Sequence, residues 1–165
     1  MAKKRKYCTK LTKEDLVRRG ITNVTEDGVV FYKGKVKRPT IGRHVGKVSG
    51  YVKTYPIIVL VDKDVKKERT TKYTKKDGSI SYHKGWVYGT IAFPVGRLML
   101  AWFLGEVPEN MDCDHKDSNP WNNRFSYNPE ESNLQLLTRR ENLAKRFIDN
   151  PDCSTNQYTW LKKHQ

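Results

Sequence analysis

Asp114-His115-Lys116-Asp117-Ser118-Asn119-Pro120-Trp121-Asn122-Asn123 sets a carboxylate beside an imidazole at the head of an amide-rich loop. The chain returns with Asn133-Leu134-Gln135-Leu136-Leu137, then Thr138-Arg139-Arg140-Glu141-Asn142. Asp112 to His115 reads as the end of one strand and Leu134 to Leu137 as a second. Thr138 with Glu141 three residues on is a capping box, predicting a helix from Arg139 to about Ile148 that Asn150-Pro151 ends. A hairpin followed by a helix brings the first strand's end against the helix's first turns.

That placement assembles the groups a single-metal phosphodiester hydrolase needs. Asp114 supplies a hard oxygen ligand suited to Mg²⁺ or Mn²⁺, and Asn142, in the first helical turn, supplies a carbonyl oxygen. Two protein ligands leave positions for water and a phosphate. His115 points to the opposite strand face from Asp114. At a twisted strand end both can still flank one phosphate, with His115 as general base near neutral pH. Asn133 is placed either to orient His115 or to pin the loop, and Asn122 or Asn123 can serve instead. Taken singly these residues are weak signals, since Asn-rich loops are usually turns and Asp117 alone is a turn former.

The ordered set resembles the HNH (ββα-metal) endonucleases, especially phage-borne and intron-encoded members such as the homing endonucleases. The Asp114-His115 pair comes first, Asn133-Leu134 stands at the middle position, and Asn142 follows nine residues later on the helix. Asp117, Asn119, Asn122 and Asn123 match the polar loop of phage members. The gap between His115 and Asn133 is lengthened by Arg124 to Glu131. The resemblance covers roughly residues 94–146. Together with the small antiparallel sheet region that strand and turn signals predict before it, it implies an α+β fold ending in the HNH ββα-metal module. It also implies His115 and Asn133 as catalytic residues and Asp114 and Asn142 as ligands of one Mg²⁺ or Mn²⁺. The implied activity is nicking or cutting of double-stranded DNA. The alternative is a catalytically silent DNA-binding protein of a phage or mobile element. RNA is a weaker option, because no RNP-type aromatic motif is visible.

Charge points to the same partner. The 165 residues carry a formal +14, and residues 1–92 hold 23 Lys+Arg against 8 Asp+Glu. Residues 93–146 hold 7 and 8, and residues 147–165 hold 2 and 2. The surplus predicts attraction to a polyanion, with nucleic acid ahead of an anionic membrane. Lys47, Lys53, Lys72, Lys75, Lys76, Lys84, Arg97, Arg124, Arg139 and Arg140 are the expected DNA contacts. Tyr73, Tyr82, Trp86 and Tyr88 lie among the basic residues, a mix suited to phosphate and sugar. His44 and His83 read as phosphate contacts or plain surface.

No apolar run approaches the ~20 residues of a membrane span. The basic N-terminus lacks the apolar segment of a secretory signal. Cys8, Cys113 and Cys153 form no Cys-x-x-Cys, so no structural zinc is expected, and reduced thiols fit a cytoplasmic protein.

Four regions are expected. Residues 1–45 form a basic arm with a short helix and a hairpin. Within it, Thr12-x-x-Asp15 caps a helix that stops at Gly20, and Gly28 to Tyr32 is a strand before a Lys33-Gly34 turn. Residues 35–49 read as a loop or linker. Residues 46–92 form a basic antiparallel DNA-binding region, with a strand from Tyr51 to Val61 at whose Pro56 an edge or bulge is expected. Asp77-Gly78 is its hairpin turn. Residues 93–148 form the HNH module, opened by a helix from Pro94 to Gly105 that chiefly builds core. Residues 149–165 are a tail.

Overall fold

The structure, a computed structural model, describes residues 10–45 and 52–149, without the side chains of 146 and 147. The first nine residues of the expected 1–45 arm, among them Cys8, together with Lys47, Cys153, the Asn150-Pro151 stop and the tail beyond 149, lie outside the described residues. The rest is α+β, built from several small antiparallel sheets and three helices.

Strand β1 (Leu11–Thr12) leads into α1 (Lys13–Arg18). Thr12 and Asp15 form the expected capping box, with Asp15 N donating to Thr12 Oγ1 at 3.1 Å and Thr12 N to Asp15 Oδ2 at 3.3 Å. Strands β2 (Ile21–Val24), β3 (Val30–Tyr32) and β4 (Lys35–Lys37) make an antiparallel meander. Lys33 and Gly34 both take positive φ, as a two-residue hairpin turn requires.

Strands β5 (Thr40–Val45), β6 (Val52–Thr74) and β7 (Ile80–Pro94) form a second three-stranded sheet. The expected loop over 35–49 is therefore corrected in part, because its described residues contain β4 and β5. Their hydrogen bonds come from β3 and β6, partners that local composition does not reveal. Pro56 pairs with Ile41 of β5 but lies beyond the β7 ladder, which begins at Ile57 opposite Pro94. On that side the strand is an edge, where a missing N–H is tolerated. Buried Pro56, Ile58 and Leu60 alternate toward the core, and beyond Asp62 the β6–β7 hairpin continues as an exposed ribbon turning at Asp77-Gly78.

Helix α2 (Val95–Leu104) follows, with Pro94 as its N-cap and Gly105 ending it. Val95 through Ala101 are all buried, so the helix is the centre of the core. Strand β8 (Glu106–Val107) pairs with β1. Strands β9 (Met111–His115) and β10 (Leu134–Thr138) pair antiparallel, with His115 opposite Leu134 and Asp114 opposite Gln135. Helix α3 (Arg139–Asp149) starts from the expected capping box, in which Glu141 N donates to Thr138 Oγ1 at 3.3 Å and Thr138 N to Glu141 Oε2 at 2.7 Å.

One apolar cluster draws Leu16, Ile21, Val30, Ile58 and Leu60 together with Leu98, Met99, Phe125 and Leu134. The core therefore crosses position 92. Among the described residues no helix is long and apolar enough to cross a membrane.

Candidate active site

The site lies where the end of β9 meets the 116–133 loop, the start of α2 and the first turns of α3. The loop is folded by short-range acceptors. Asp117 Oδ1 accepts from Asn119 N at 2.9 Å and Asn133 Nδ2 at 3.0 Å, and its Oδ2 accepts from Asn122 Nδ2 at 2.6 Å. Burial opposes ionisation of Asp117, but these three donors hold its carboxyl below the usual range. Phe125 stacks on Phe103 of α2 with ring centroids 4.5 Å apart, and Phe125 N donates to Glu26 O at 2.9 Å. These contacts fasten the loop to the core.

His115 is held by Asn123, whose Oδ1 lies 3.0 Å from Nε2 of the ring. Asn123 is buried, and its Nδ2 donates to the Pro120 and Trp121 carbonyls at 3.2 and 3.4 Å. The amide nitrogen is thereby committed, so the oxygen must face the ring. Nε2 then carries the proton and Nδ1 keeps its lone pair. Burial is the largest influence on the ring and pushes its pKa down; the Asn123 bond and the charges of Asp114 and Asp117 act in the opposite direction. The positive charge of Lys53, on β6, pushes it further down.

Asn133 stands elsewhere. Its Nδ2 also donates to Asn122 O at 2.6 Å, and its Oδ1 accepts from Asp117 N at 3.1 Å. Of the two roles weighed from sequence, its geometry is that of pinning the loop, and the amide at His115 is Asn123's. No local signal separates the two: both are asparagines in polar stretches, and only the fold brings one to the ring.

Gly96 permits that approach. A Cβ there would lie 3.0 Å from Cys113 Sγ, 3.1 Å from Asn123 Oδ1 and 3.2 Å from Leu134 Cδ2. Cys113 as a residue is only partly covered, yet its sulfur is enclosed by this packing, and burial pushes the thiol up to about 12.

On the opposite face of β9, Asp112 and Asp114 alternate beneath α3. Asp114 Oδ2 accepts from Gln135 Nε2 at 2.8 Å and lies 3.5 Å from Lys145 Nζ. Asn142 Nδ2 donates to Asp112 Oδ2 at 3.0 Å, and Arg139 Nη1 lies 3.2 Å from the same oxygen. The expected partners Asp114 and Asn142 thus share a strand face, but Asn142 bonds to the aspartate two residues earlier. Gln135, Lys145 and Asp112 were not singled out from sequence. The legible signals were Asp112 two residues before Asp114, and Lys145 three residues after Asn142 on the helix.

Lys145 ties the site together. Its ammonium donates to Asp149 Oδ2 at 2.5 Å, His115 O at 3.1 Å and Ser118 Oγ at 3.2 Å. Burial works against its charge, but Asp149 and Asp114 prevail and raise its pKa.

The donor set at β9 and α3 is two carboxylates and an amide, all hard oxygen ligands that suit Mg²⁺ or Mn²⁺ better than a soft metal. Among the described residues no group of three or more His, Cys, Asp and Glu forms a metal cage. Such a site would hold an ion with few protein ligands.

Of the other expected DNA contacts, Lys53, Lys72, Lys75, Lys76, Lys84, Arg124, Arg139 and Arg140 are exposed. Arg97 is corrected. It is 6% exposed in α2 and donates to Met111 O at 2.7 Å, tying the helix to β9. A guanidinium so placed satisfies a backbone carbonyl and is not open to a phosphate.

No curated protein and no solved structure matches the chain. A family model described as HNH endonuclease matches residues 95–144, from the start of α2 into α3. That segment, which contains His115, Asn123, Asn133 and Asn142, is similar to the HNH endonuclease family.

Proposed function

We propose that the chain is a metal-dependent endonuclease hydrolysing phosphodiester bonds of double-stranded DNA. The observation that carries this reading is the His115 ring, fixed through Nε2 by Asn123, with Nδ1 making no hydrogen bond among the described residues. Across β9 from it stand the oxygen donors of Asp112, Asp114 and Asn142. His115 Nδ1 takes a proton from water as the water oxygen bonds to phosphorus and the bond to the 3′ oxygen breaks. Asn123 keeps the ring in the tautomer that can accept that proton. Asp114 and Asn142, with Asp112 beside them, would hold the divalent ion. Bound there, the ion supplies Lewis-acid stabilisation of charge on the phosphate and the leaving oxygen. Asn133 and Asp117 keep the loop folded, and Lys145 positions the β9 end against α3. The basic surface of the N-terminal half supplies phosphate contacts, and the ion is Mg²⁺ or Mn²⁺.

A second reading, a DNA-binding protein that does not cut, draws on Lys145, whose ammonium already offsets the charge of Asp114. Supercoiled plasmid incubated with Mg²⁺ or Mn²⁺, with and without EDTA, separates the two. Relaxed or linear product with metal alone supports the endonuclease. Binding without any product in either metal supports the silent protein.

A further inference from the structure

The β6–β7 hairpin outgrows the sheet that roots it. Every residue from Lys63 to Ile80 is exposed. The ladder continues nonetheless from Lys66 opposite Tyr88 to Thr74 opposite Ile80. At 3.4 Å per residue, Lys66 to Thr74 spans roughly 27 Å. The root is firm. Arg19 Nη1 lies 3.1 Å from Asp62 Oδ1, both largely covered. Between Asp62 and Lys66 the register shifts by a bulge in β6, opposite Gly89. A Cβ on Gly89 would meet Val65 at 2.9 Å, so the bulge requires glycine there. Bulges bend and twist a strand and re-aim what lies beyond them.

The two faces of the ribbon differ. Directly opposed residues share a face. One face pairs Lys66 with Tyr88, Glu68 with Trp86, Thr70 with Lys84 and Lys72 with Tyr82. Its rings lie open to water, with Trp86 at 73% and Tyr82 at 63% exposure. Lys66 Nζ sits 5.8 Å from the Tyr88 ring centroid. The other face pairs Lys67 with Val87, Arg69 with Gly85, Thr71 with His83 and Tyr73 with Ser81; it is basic too, but carries one Tyr and no Trp. Between Lys63 and Tyr88 the chain has eight Lys and Arg against three Asp and Glu. None of these basic side chains is in a salt bridge among the described residues.

Exposed rings on one face, interleaved with uncompensated lysines, call for a partner that is both anionic and able to cover apolar area. Nucleic acid is that partner: phosphates answer the lysines, and sugars and thymine methyls answer the rings. A two-stranded ribbon fits the major groove, about 12 Å wide, and this one is long enough for roughly eight base pairs.

We propose that the ribbon enters the major groove of duplex DNA with its lysine–aromatic face toward the base edges, and that this contact sets the preference for a cutting site. The proposal rests on duplex DNA being the substrate. Lys66, Lys72 and Lys84 reach phosphates and guanine edges, while Tyr82 and Trp86 cover methyls and sugars.

The test uses the full chain in EDTA, so that cleavage does not enter, with a labelled mixed-sequence duplex and the matching single strand. Lys72→Ala/Lys84→Ala is expected to weaken duplex binding about tenfold and to flatten the slope of log K against log salt by about 0.9 for each phosphate no longer neutralised. Trp86→Ala is expected to weaken binding with the slope unchanged. Methyl green, a major-groove ligand, should compete, and distamycin, a minor-groove ligand, should not. Selection from a random duplex pool should yield a consensus with the parent and none with Trp86→Ala. Parental affinity in both variants, tighter binding of the single strand, competition by distamycin alone, or variants that change self-association and not DNA binding would each overturn the proposal. Plasmid cut at the same sites by parent and variants would sink the ribbon and leave the endonuclease standing. Ribbon-dependent duplex binding with no cleavage in any metal would leave the groove contact standing but overturn both the endonuclease and the cutting-site preference.

Discussion

Nε2 of His115 lies 3.0 Å from Oδ1 of Asn123, and the amide nitrogen of Asn123 is already committed to two backbone carbonyls. The pair therefore has one sense. The asparagine accepts, the imidazole donates through Nε2, and the free lone pair is on Nδ1. An imidazole aimed this way depends on a buried side chain eight residues away in the loop.

Asn123 is accordingly expected to matter more to the reaction than Asn133. His115→Ala should lower cleavage about 10²–10⁴-fold with DNA binding retained. Asn123→Ala should cost up to about 10²-fold through misplacement of the ring. Asn133→Ala should act mainly through loop stability, read as a lower melting temperature. Plasmid nicking rates beside thermal melts of the three variants check this. Equal nicking by the Asn123→Ala variant and the parent would remove the asparagine from the mechanism.

The pH profile follows from the same contact. Burial lowers the His115 pKa from its usual value near 6.5, so the ring stays neutral and able to accept a proton somewhat below that pH. Activity should be lost as pH falls through the lowered pKa, placing the acid limb of the rate profile below about 6.5. Asn123→Asp puts a carboxylate against Nε2, favours the imidazolium, and should move that limb upward. An unmoved limb would show that the titrating group is not His115.

Asp114→Ala and Asn142→Ala are each expected to weaken binding of Mn²⁺ and metal-dependent cleavage. Asp112→Asn tests whether the aspartate that Asn142 meets belongs to the ligand group or only holds the helix. Calorimetric titration of the full chain with Mn²⁺ reads all three. Unchanged isotherms in Asp114→Ala and Asn142→Ala would place the ion elsewhere.

Gly96→Ala should destabilise the protein by about 1–3 kcal/mol, the cost of an added methyl in a packed interior. The methyl meets the Cys113 sulfur, the Asn123 oxygen and Leu134 at 3.0–3.2 Å. Denaturant melts measure the loss, and nicking under conditions where the variant stays folded should fall as well, because Asn123 must shift.

Cys113, pushed up to about 12 by burial, is expected to resist thiol reagents in the native state. In a Cys8→Ser/Cys153→Ser background, the remaining thiol should react with a colorimetric disulfide reagent only once the chain is unfolded. Rapid native labelling would mean that the packing of α2 on β9 opens readily.

The elements legible in the sequence are those whose hydrogen bonds close within a few residues. Thr12 with Asp15, Thr138 with Glu141, and the Asp77-Gly78 turn are local, and the structure has each of them. Helix α2 declared itself by its ends at Pro94 and Gly105. Strands β4 and β5 did not, because a strand's hydrogen bonds belong to a partner, and a basic stretch with Gly and Pro gives no sign of one. The continuous run of β6 was likewise hidden, since only pairing with β7 carries it past the bulge at Asp62.

The sequence by itself determined the inventory of groups: a carboxylate and imidazole in tandem, amides downstream, a capped helix bearing Asn142, and a strongly basic half. Only tertiary structure decided which side chain meets which. The loop's length left three asparagines able to face His115. Packing against Gly96 and Phe103 chose Asn123 and left Asn133 to the Asp117 turn. The alternation of β9 set Asp112 as well as Asp114 under α3 and turned His115 to the other face. Arg97, a cation like any other in sequence, became a core tie because it lies on the face of α2 that meets β9. Composition counts charges and donors, but which of them face one another depends on strand register and helix phase, and these are fixed by the burial of apolar neighbours far away in the chain.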